Sequence, residues 1–374
     1  MRRLVVLLEA GDAYPSGKVR AMQYDENFRD AGYSPIYLNR LTPWLVRLDE
    51  SPSLILKLFR KLGGKYFFRV MRRITTAINA RRIIKNVKDA DLIFASKISD
   101  YDLIKKIKKR SSCPLVMDIV DPLWLDEYLV PNFDKIIKIA DCITTDNDWS
   151  AEKIRAITQN VFVIPETPNL DIFDKERIIK NESKIVTIGW VGSPGTFKYL
   201  SSISESLLRV IRKNDDVRLL ILGSGFENKL FDENFEKVEY LPFYSELEMV
   251  RAILKMDIGL YPLMRIEGAE HRGILKALNY MAGSAAVVAS PIGESYTAIR
   301  DGENGFLADS NKDWEERLQL LIDDSELRKK IAAVALLEVR KKHSRNLCFK
   351  KLNSVFEKAF NHTLLEDECV IKNT

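Results

Sequence analysis

The sequence predicts an α/β protein of two doubly wound domains, and three observations lead there. Short unbroken apolar runs such as Leu4–Leu8 (LVVLL) and Ala285–Ala289 (AAVVA) recur along the chain, as expected of parallel strands buried on both faces. Segments of helical spacing separate them, as crossover connections require. Twice, at Leu4 and again at Ile185, a strand leads into a glycine-bearing loop and then a helix, the usual opening of a nucleotide-binding domain.

The chain of 374 residues is long enough for two cores, and its 46% apolar and 30% charged content is that of a soluble globular protein. No run reaches the roughly 18 apolar residues of a membrane span. Met1–Leu8 is too short for a secretory leader and is interrupted by Glu9. Cys113, Cys142, Cys348 and Cys369 show no paired spacing, which fits a reducing cytoplasm and neither zinc nor a disulfide framework. The net charge of +5 is modest, and its distribution says more than its sum.

Taken in order, Leu4–Leu8 is the first strand, a loop with Pro15, Ser16 and Gly17 follows, Arg20–Ala31 has helical spacing, and Pro35–Leu38 is the second strand. Leu54–Lys88 stands apart. It holds eleven lysines and arginines, among them Lys57, Arg60, Lys61, Lys65, Arg69, Arg72 and Arg73, with no acidic residue and with aromatic and aliphatic residues interleaved. Cationic helices with an apolar face suit an anionic membrane surface, where each Lys or Arg is worth about 1 kcal/mol. Packed helices with a solvated basic face give the same pattern, and no nucleic-acid module accompanies the segment. Asp91–Ala95, Pro114–Val120, Asp141–Thr145 and Val161–Ile164 are further strands. Parallel sheets bind ligands at the carboxyl ends of their strands. That rule singles out Asp118 and Asp121 in MDIVDPLW and Asn147 in TTDNDWS. An aspartate ahead of a proline and a helix can equally be an N-cap.

The polar, proline-bearing stretch Pro165–Lys184 separates two αβ series. The expected division is a first domain over 1–170 joined by the last helix at 344–361, a linker at 171–184, a second domain over 185–343, and a tail at 362–374. The second series opens with IVTIGWVGSPGTFKYL, where Gly192, Gly195 and Lys198 bring N–H groups and an ammonium to one loop. Val217–Leu222 ends in Gly223-Ser224-Gly225, but Asn228 stands where a third glycine would complete a dinucleotide fingerprint, which rejects a Rossmann oxidoreductase. After a strand at Asp257–Leu263, a helix is expected over roughly Gly273–Met281, with Arg272 and Gly273 at its first turn. Unpaired N–H groups, a positive helix end and an arginine bind anions where such a helix opens on a cleft; closed off, it is an ordinary αβ unit.

The order of residues in LKALNYMAGSAAVVASPIG and IRDGENGFLA resembles the donor-site region of the GT-B glycosyltransferases, in the large retaining group called family 4. The resemblance runs over nearly the whole chain and is densest from Ile185 to about Ile331. It implies two Rossmann-like doubly wound domains facing a central cleft, with the C-terminal helix crossing back to the first. Lys198 falls on the lysine that binds the donor diphosphate, and Ser193 on its companion arginine. Gly192, Gly195, Arg272, Gly273 and Lys276 complete that implied site. Leu241, Phe243 and Tyr244 fall on the nucleotide-base loop, and Gly17, Arg20 and Asn147 on the acceptor side. Asp121 and Asp118 lie where members carry a His or Asp beside the sugar. Two glutamates eight residues apart usually hold the donor sugar and ribose; here their places are taken by His271 and Asn279, with Glu270 adjacent, and a third falls on Thr297. His271 and Asn279 can still hydrogen-bond a sugar or phosphate and a ribose hydroxyl.

The resemblance implies a retaining glycosyltransferase that moves a sugar from a nucleotide diphosphate sugar to a glycan or lipid-linked acceptor in surface polysaccharide or lipopolysaccharide assembly. Asp121, Asp118 and His271 are its catalytic candidates. No cofactor and no metal are expected, and the donor half has no Asp-x-Asp motif. The expected location is the cytoplasm, peripheral on the inner face of the membrane. The expected partners are the nucleotide sugar, the acceptor and an anionic membrane surface, not nucleic acid, with a protein partner or homodimer left open. Absence of the two glutamates also leaves open a catalytically silent nucleotide-sugar-binding subunit and, more remotely, a nucleotide-sugar epimerase.

Overall fold

Two parallel sheets of six strands each carry the fold in a computed structural model of the protein, which describes residues 1–49, 61, 64–125, 132–177, 184–231, 236–242 and 244–372. Contacts divide the chain into two units, Met1–Glu166 with Arg345–Thr374, and Thr167–Ser344.

In the first unit the strands are β1 (Arg2–Leu8), β2 (Tyr33–Asn39), β3 (Leu92–Ser96), β4 (Leu115–Asp118), β5 (Cys142–Thr145) and β6 (Val161–Val163), in the order β2-β1-β3-β4-β5-β6. Leu4 to Leu7 are wholly buried because helices cover both faces of the central strand β1, which is why that strand reads as an unbroken apolar run. Pro35 is tolerated within β2 because that strand lies at the sheet edge, where no second ladder needs its N–H. The helix expected over Arg20–Ala31 is broken instead into Pro15–Arg20, a turn at Met22–Tyr24, and Asp25–Asp30. A helix of 22 residues, Lys65–Asn86, occupies the described part of the basic segment, while Lys57 and Arg60 lie outside the described residues. The last helix, Arg345–Lys372, packs Phe349, Leu352, Val355 and Phe356 onto Leu4, Val6 and Phe94 of this unit. It runs on through most of the stretch expected as a tail.

In the second unit the strands are β7 (Val186–Val191), β8 (Val217–Leu222), β9 (Val238–Leu241), β10 (Ile258–Tyr261), β11 (Ala286–Ala289) and β12 (Phe306–Leu307), in the order β12-β11-β10-β7-β8-β9. Leu170–Glu176, in the stretch read as a linker, is a helix whose Phe173 is buried in this unit's core.

Both orders contain one reversal. The chain builds outward from β1 or β7 on one side, then returns to lay β3 or β10 on the other. The loops leaving the carboxyl ends of the two strands at a reversal diverge, and open sheets bind ligands in the crevice between them. In the second unit that point lies between β7 and β10; in the first, between β1 and β3.

Candidate functional site

The reversal between β7 and β10 brings together the two loops that hold Lys198 and Arg272. Lys198 lies on the short helix Phe197–Ser201 after β7, and Arg272 on the loop after β10. Both lie over the ring of Tyr199, with Lys198 Nζ 5.3 Å and Arg272 Cζ 5.4 Å from its centroid. Lys276, on the helix Leu275–Ala282, reaches the same loop: its Nζ donates to Thr196 Oγ1 at 3.2 Å and lies 5.7 Å from the Trp190 ring. Aromatic faces hold cations electrostatically, so the two rings fix three positive charges from separate elements. Among the described residues no carboxylate lies within ion-pair distance of Lys198 or Arg272. Tyr199 is buried, and its hydroxyl has no hydrogen-bond partner among the described residues.

Side chains, not backbone amides, carry this charge. The N–H of Gly192 donates to Leu222 O and that of Ser193 to Thr196 Oγ1, so two amides expected to face an anion are already taken, and the N–H of Thr196 donates to Ser193 O. The helix expected from Gly273 begins at Leu275, and Arg272 is extended, with φ −79° and ψ 132°; it presents its guanidinium from a loop and not from a helical first turn. Gly273 is held there by its carbonyl, which accepts from Tyr261 Oη at 2.7 Å. Gly192 is required by packing, since a Cβ there would lie 2.1 Å from the Trp190 ring, whereas Gly195 has nothing within 4 Å of that position.

The remaining donor-side candidates are more varied. His271 is mostly buried, its Nε2 3.4 Å from Glu270 Oε1, which is partly exposed. Asn279 is 8% exposed on the Lys276 helix, and Thr297 is exposed on the helix Glu294–Ala298. The carbonyls of Leu241 and Pro242 each accept one bond, from the N–H groups of Gly223 and Gly225. Phe243 lies outside the described residues. Tyr244 donates to Gly192 O at 2.9 Å, and burial pushes its hydroxyl up to about 12, which keeps it a donor. Tyr280, unremarked in the sequence, accepts the Val191 N–H at 2.7 Å and ties the Lys276 helix to the end of β7.

The first unit's candidates separate into buried and accessible. Asp118 is wholly buried and takes both Nη2 (2.7 Å) and Nε (3.2 Å) of Arg20, with Ser96 and Thr144 hydroxyls filling its remaining positions. Arg20 Nη1 donates to Ile164 O at 2.7 Å. Burial alone would lower the Arg20 pKa, but the charge and hydrogen bonds of Asp118 raise it. Asp118 and Arg20, expected at catalytic and acceptor positions, therefore form a closed internal ion pair. Gly17 is also structural: a Cβ there would lie 2.3 Å from Gly11 O. Asn147 caps the helix Asp148–Arg155 through its Oδ1 and the Ser150 N–H. Asp121 differs. It is 44% exposed, ion-paired with Lys97, and both residues have positive φ, 72° and 59°. Left-handed backbone at two non-glycine residues is strained. Asp146, at the end of β5, is buried, and burial pushes its carboxyl up to about 6 against the pull of Arg20. Lys97, Asp146 and Tyr199 escaped the sequence reading because neither a backbone angle nor burial is written in residue type.

A family model described as "Glycosyl transferases group 1" matches residues 183–324, the stretch that includes the cation cluster. The fold is that of the GT-B glycosyltransferases. The chain is 26% identical over 308 residues to an uncharacterised glycosyltransferase (MJ1178) of Methanocaldococcus jannaschii, covering 76% of this chain and 81% of the relative. It is 30% identical over 149 residues to a phosphatidyl-myo-inositol mannosyltransferase of Mycobacterium leprae, 38% of this chain and 39% of that protein. Its fold matches that of Anabaena HepE, crystallised with UDP and glucose, at a TM-score of 0.66 and 11% identity over 96% of this chain and 100% of the other. Among the described residues no helix is long and apolar enough to cross a membrane, and no group of three His, Cys, Asp or Glu is placed to hold a metal.

Proposed function

We propose that the protein transfers a sugar, with retention, from a nucleoside diphosphate sugar to a glycan or lipid-linked acceptor, and that the donor diphosphate lies on the cation cluster. The observation that carries this reading is the meeting of Lys198, Arg272 and Lys276 on Tyr199, Thr196 and Trp190, with no carboxylate among the described residues paired to the first two. Like charges held this close repel, and an anion among them relieves the repulsion. As the sugar–phosphate bond breaks, negative charge grows on the leaving diphosphate. Cations fixed in advance stabilise that state more than the ground state. They supply the neutralisation a divalent ion would otherwise give, so the reaction needs no metal or other cofactor.

On the acceptor side Asp121 is the carboxylate to receive an acceptor hydroxyl, held in place by Lys97. In same-face attack the leaving oxygen takes the acceptor proton, so no separate base is assigned. His271 hydrogen-bonds the sugar and Asn279 the ribose. The UDP named with HepE makes UDP-sugars the first donors to test, and the mannosyltransferase relative supports a lipid acceptor. The setting is surface polysaccharide or lipopolysaccharide assembly, on the cytoplasmic face of an anionic membrane.

The test is calorimetric titration with UDP, GDP, ADP, CMP and their sugar conjugates in EDTA. Binding of one diphosphate, weakened in Arg272→Ala, supports the reading; no binding by any of them overturns it. His271 and Asn279 in place of glutamates favour a second reading, a silent nucleotide-sugar-binding subunit. A bound donor that never turns over with any acceptor would select it.

A further inference from the structure

Two lysines of the first unit, unused by the donor chemistry, meet at one aromatic ring. The helix Tyr101–Arg110 follows β3, and the helix Phe133–Ile139 follows the neighbouring strand β4. Both begin at the carboxyl edge of the sheet, and both starts are fixed to the Lys97–Asp121 pair. On one side Lys97 N donates to Asp118 O at 2.9 Å, and Asp100, three residues on, caps the first helix by accepting the Leu103 N–H at 3.0 Å. On the other, the Leu123 N–H donates to Asp121 O at 2.8 Å. Trp124, in that turn, packs its ring 5.5 Å from Phe133, the first residue of the second helix. Tyr101 is half-buried against the core, with Lys105 Nζ 5.7 Å and Lys135 Nζ 5.8 Å from its ring centroid. Lys105 stands one turn after Tyr101 on the same helix. Lys135 lies in the first turn of the other, its Nζ also donating to Asn132 Oδ1 at 2.7 Å. Among the described residues no carboxylate lies within ion-pair distance of either lysine, Asp102 and Asp134 on the same helices included. Every exposed residue of the two helices is charged, six of them basic and two acidic.

We propose that Lys105 and Lys135 form an acceptor subsite for an acidic sugar unit, so that the acceptor is a glycan bearing a carboxylate or a phosphate. Two ammonium groups drawn to one ring repel each other, and an anion between them relieves that repulsion. Ammonium donors bind carboxylate and phosphate oxygens by charge-assisted hydrogen bonds. Charge alone would suit any polyanion, and the position narrows the choice. Because both helix starts are tied to Lys97 and Asp121, the subsite adjoins the carboxylate assigned to the acceptor hydroxyl, and its ligand is a further part of the acceptor. Neither helix exposes an apolar residue that could enter a bilayer, which sets this surface apart from a lipid contact. The proposal rests on the acceptor half of the function given above and names its chemical class; it is independent of the donor site.

The experiment is calorimetric titration of the full chain with trigalacturonic acid, glucose 6-phosphate and neutral maltotriose, over rising salt. A site variant, Lys105→Gln with Lys135→Gln, is compared with a control of equal charge loss on the same helices, Lys109→Gln with Lys138→Gln, and circular dichroism confirms folding. Wild type should bind at least one of the acidic saccharides, lose it as salt rises, and leave maltotriose unbound. The tighter of the two acids names the group. The site variant should weaken that binding by at least about tenfold, and the control by less than about threefold. Binding of neither acid, or equal binding of maltotriose, overturns the proposal. A control variant as weak as the site variant overturns the location and leaves a diffuse basic face. A single-stranded oligonucleotide bound more tightly than either saccharide, and lost in the site variant, assigns the lysines to nucleic acid and also overturns it. UDP binding should be the same in every variant. Acid binding without UDP binding leaves the subsite and sinks the donor reading; UDP binding without acid binding does the reverse.

Discussion

Each unit places an arginine at its reversal, Arg20 after β1 in the first and Arg272 after β10 in the second, and only one of these is open to a ligand. At the reversal between β1 and β3, Arg20 is closed on Asp118, with every position of that carboxylate filled. At the reversal between β7 and β10, Arg272 rests on an aromatic ring, and no carboxylate among the described residues pairs with it. What distinguishes scaffold from site is whether the charge is already answered inside the protein. In sequence the two arginines look alike.

The sharpest test of that contrast is Asp118→Ala. It should lower the unfolding free energy by about 3–5 kcal/mol, because it leaves Arg20 buried without its hydrogen-bonded carboxylate; a urea titration showing less than about 1 kcal/mol would mean that Asp146 ionises to replace it or that Arg20 can reach water. Asp146 probes the same region through pH. Its folded pKa is raised to about 6 from a reference value of 3.8, so its contribution is fully present below the reference value and is lost as pH rises through 6. The stability of wild type relative to Asp146→Asn should therefore fall by about 2 kcal/mol between pH 4 and 7. A flat difference would show that Asp146 stays ionised. In the second unit Arg272→Ala should leave stability nearly unchanged and weaken diphosphate binding by about 1–3 kcal/mol, read by calorimetry. The smallest effects separate two glycines: Gly192→Ala should destabilise by about 1–3 kcal/mol through its clash with Trp190, while Gly195→Ala should change the melting free energy by less than about 0.5 kcal/mol.

Much of the architecture was legible because it depends on patterns that survive in one dimension. Buried parallel strands must be apolar throughout, so LVVLL and AAVVA named themselves, while Lys198 was singled out by a glycine loop and a resemblance, and Arg272 by an expected helix start. Other features depended on three-dimensional partners. Arg20 and Asp118 are 98 residues apart in sequence, and nothing in either segment marks them as a pair. Asn147 looked like a ligand because a helix cap and a substrate contact call for the same amide. The break in the helix after Arg20 and the late start of the helix at Leu275 are one-turn effects, below what spacing resolves. Tyr199 and Tyr280 read as core residues, which they are; their second roles depend on what their rings and hydroxyls meet.

The Tyr280 strut explains how this surface tolerates change. Its ring crosses β10 at Gly259, where a Cβ would sit 2.3 Å from it, and its hydroxyl is anchored at Val191. The helix that presents Lys276 and Asn279 is thus located from beneath, by a residue that touches no substrate. Positions 276 and 279 can then exchange acid for base or amide without displacing the backbone that displays them. Where scaffold and display are separated in this way, a change of side chain on the displayed face leaves the support beneath it in place.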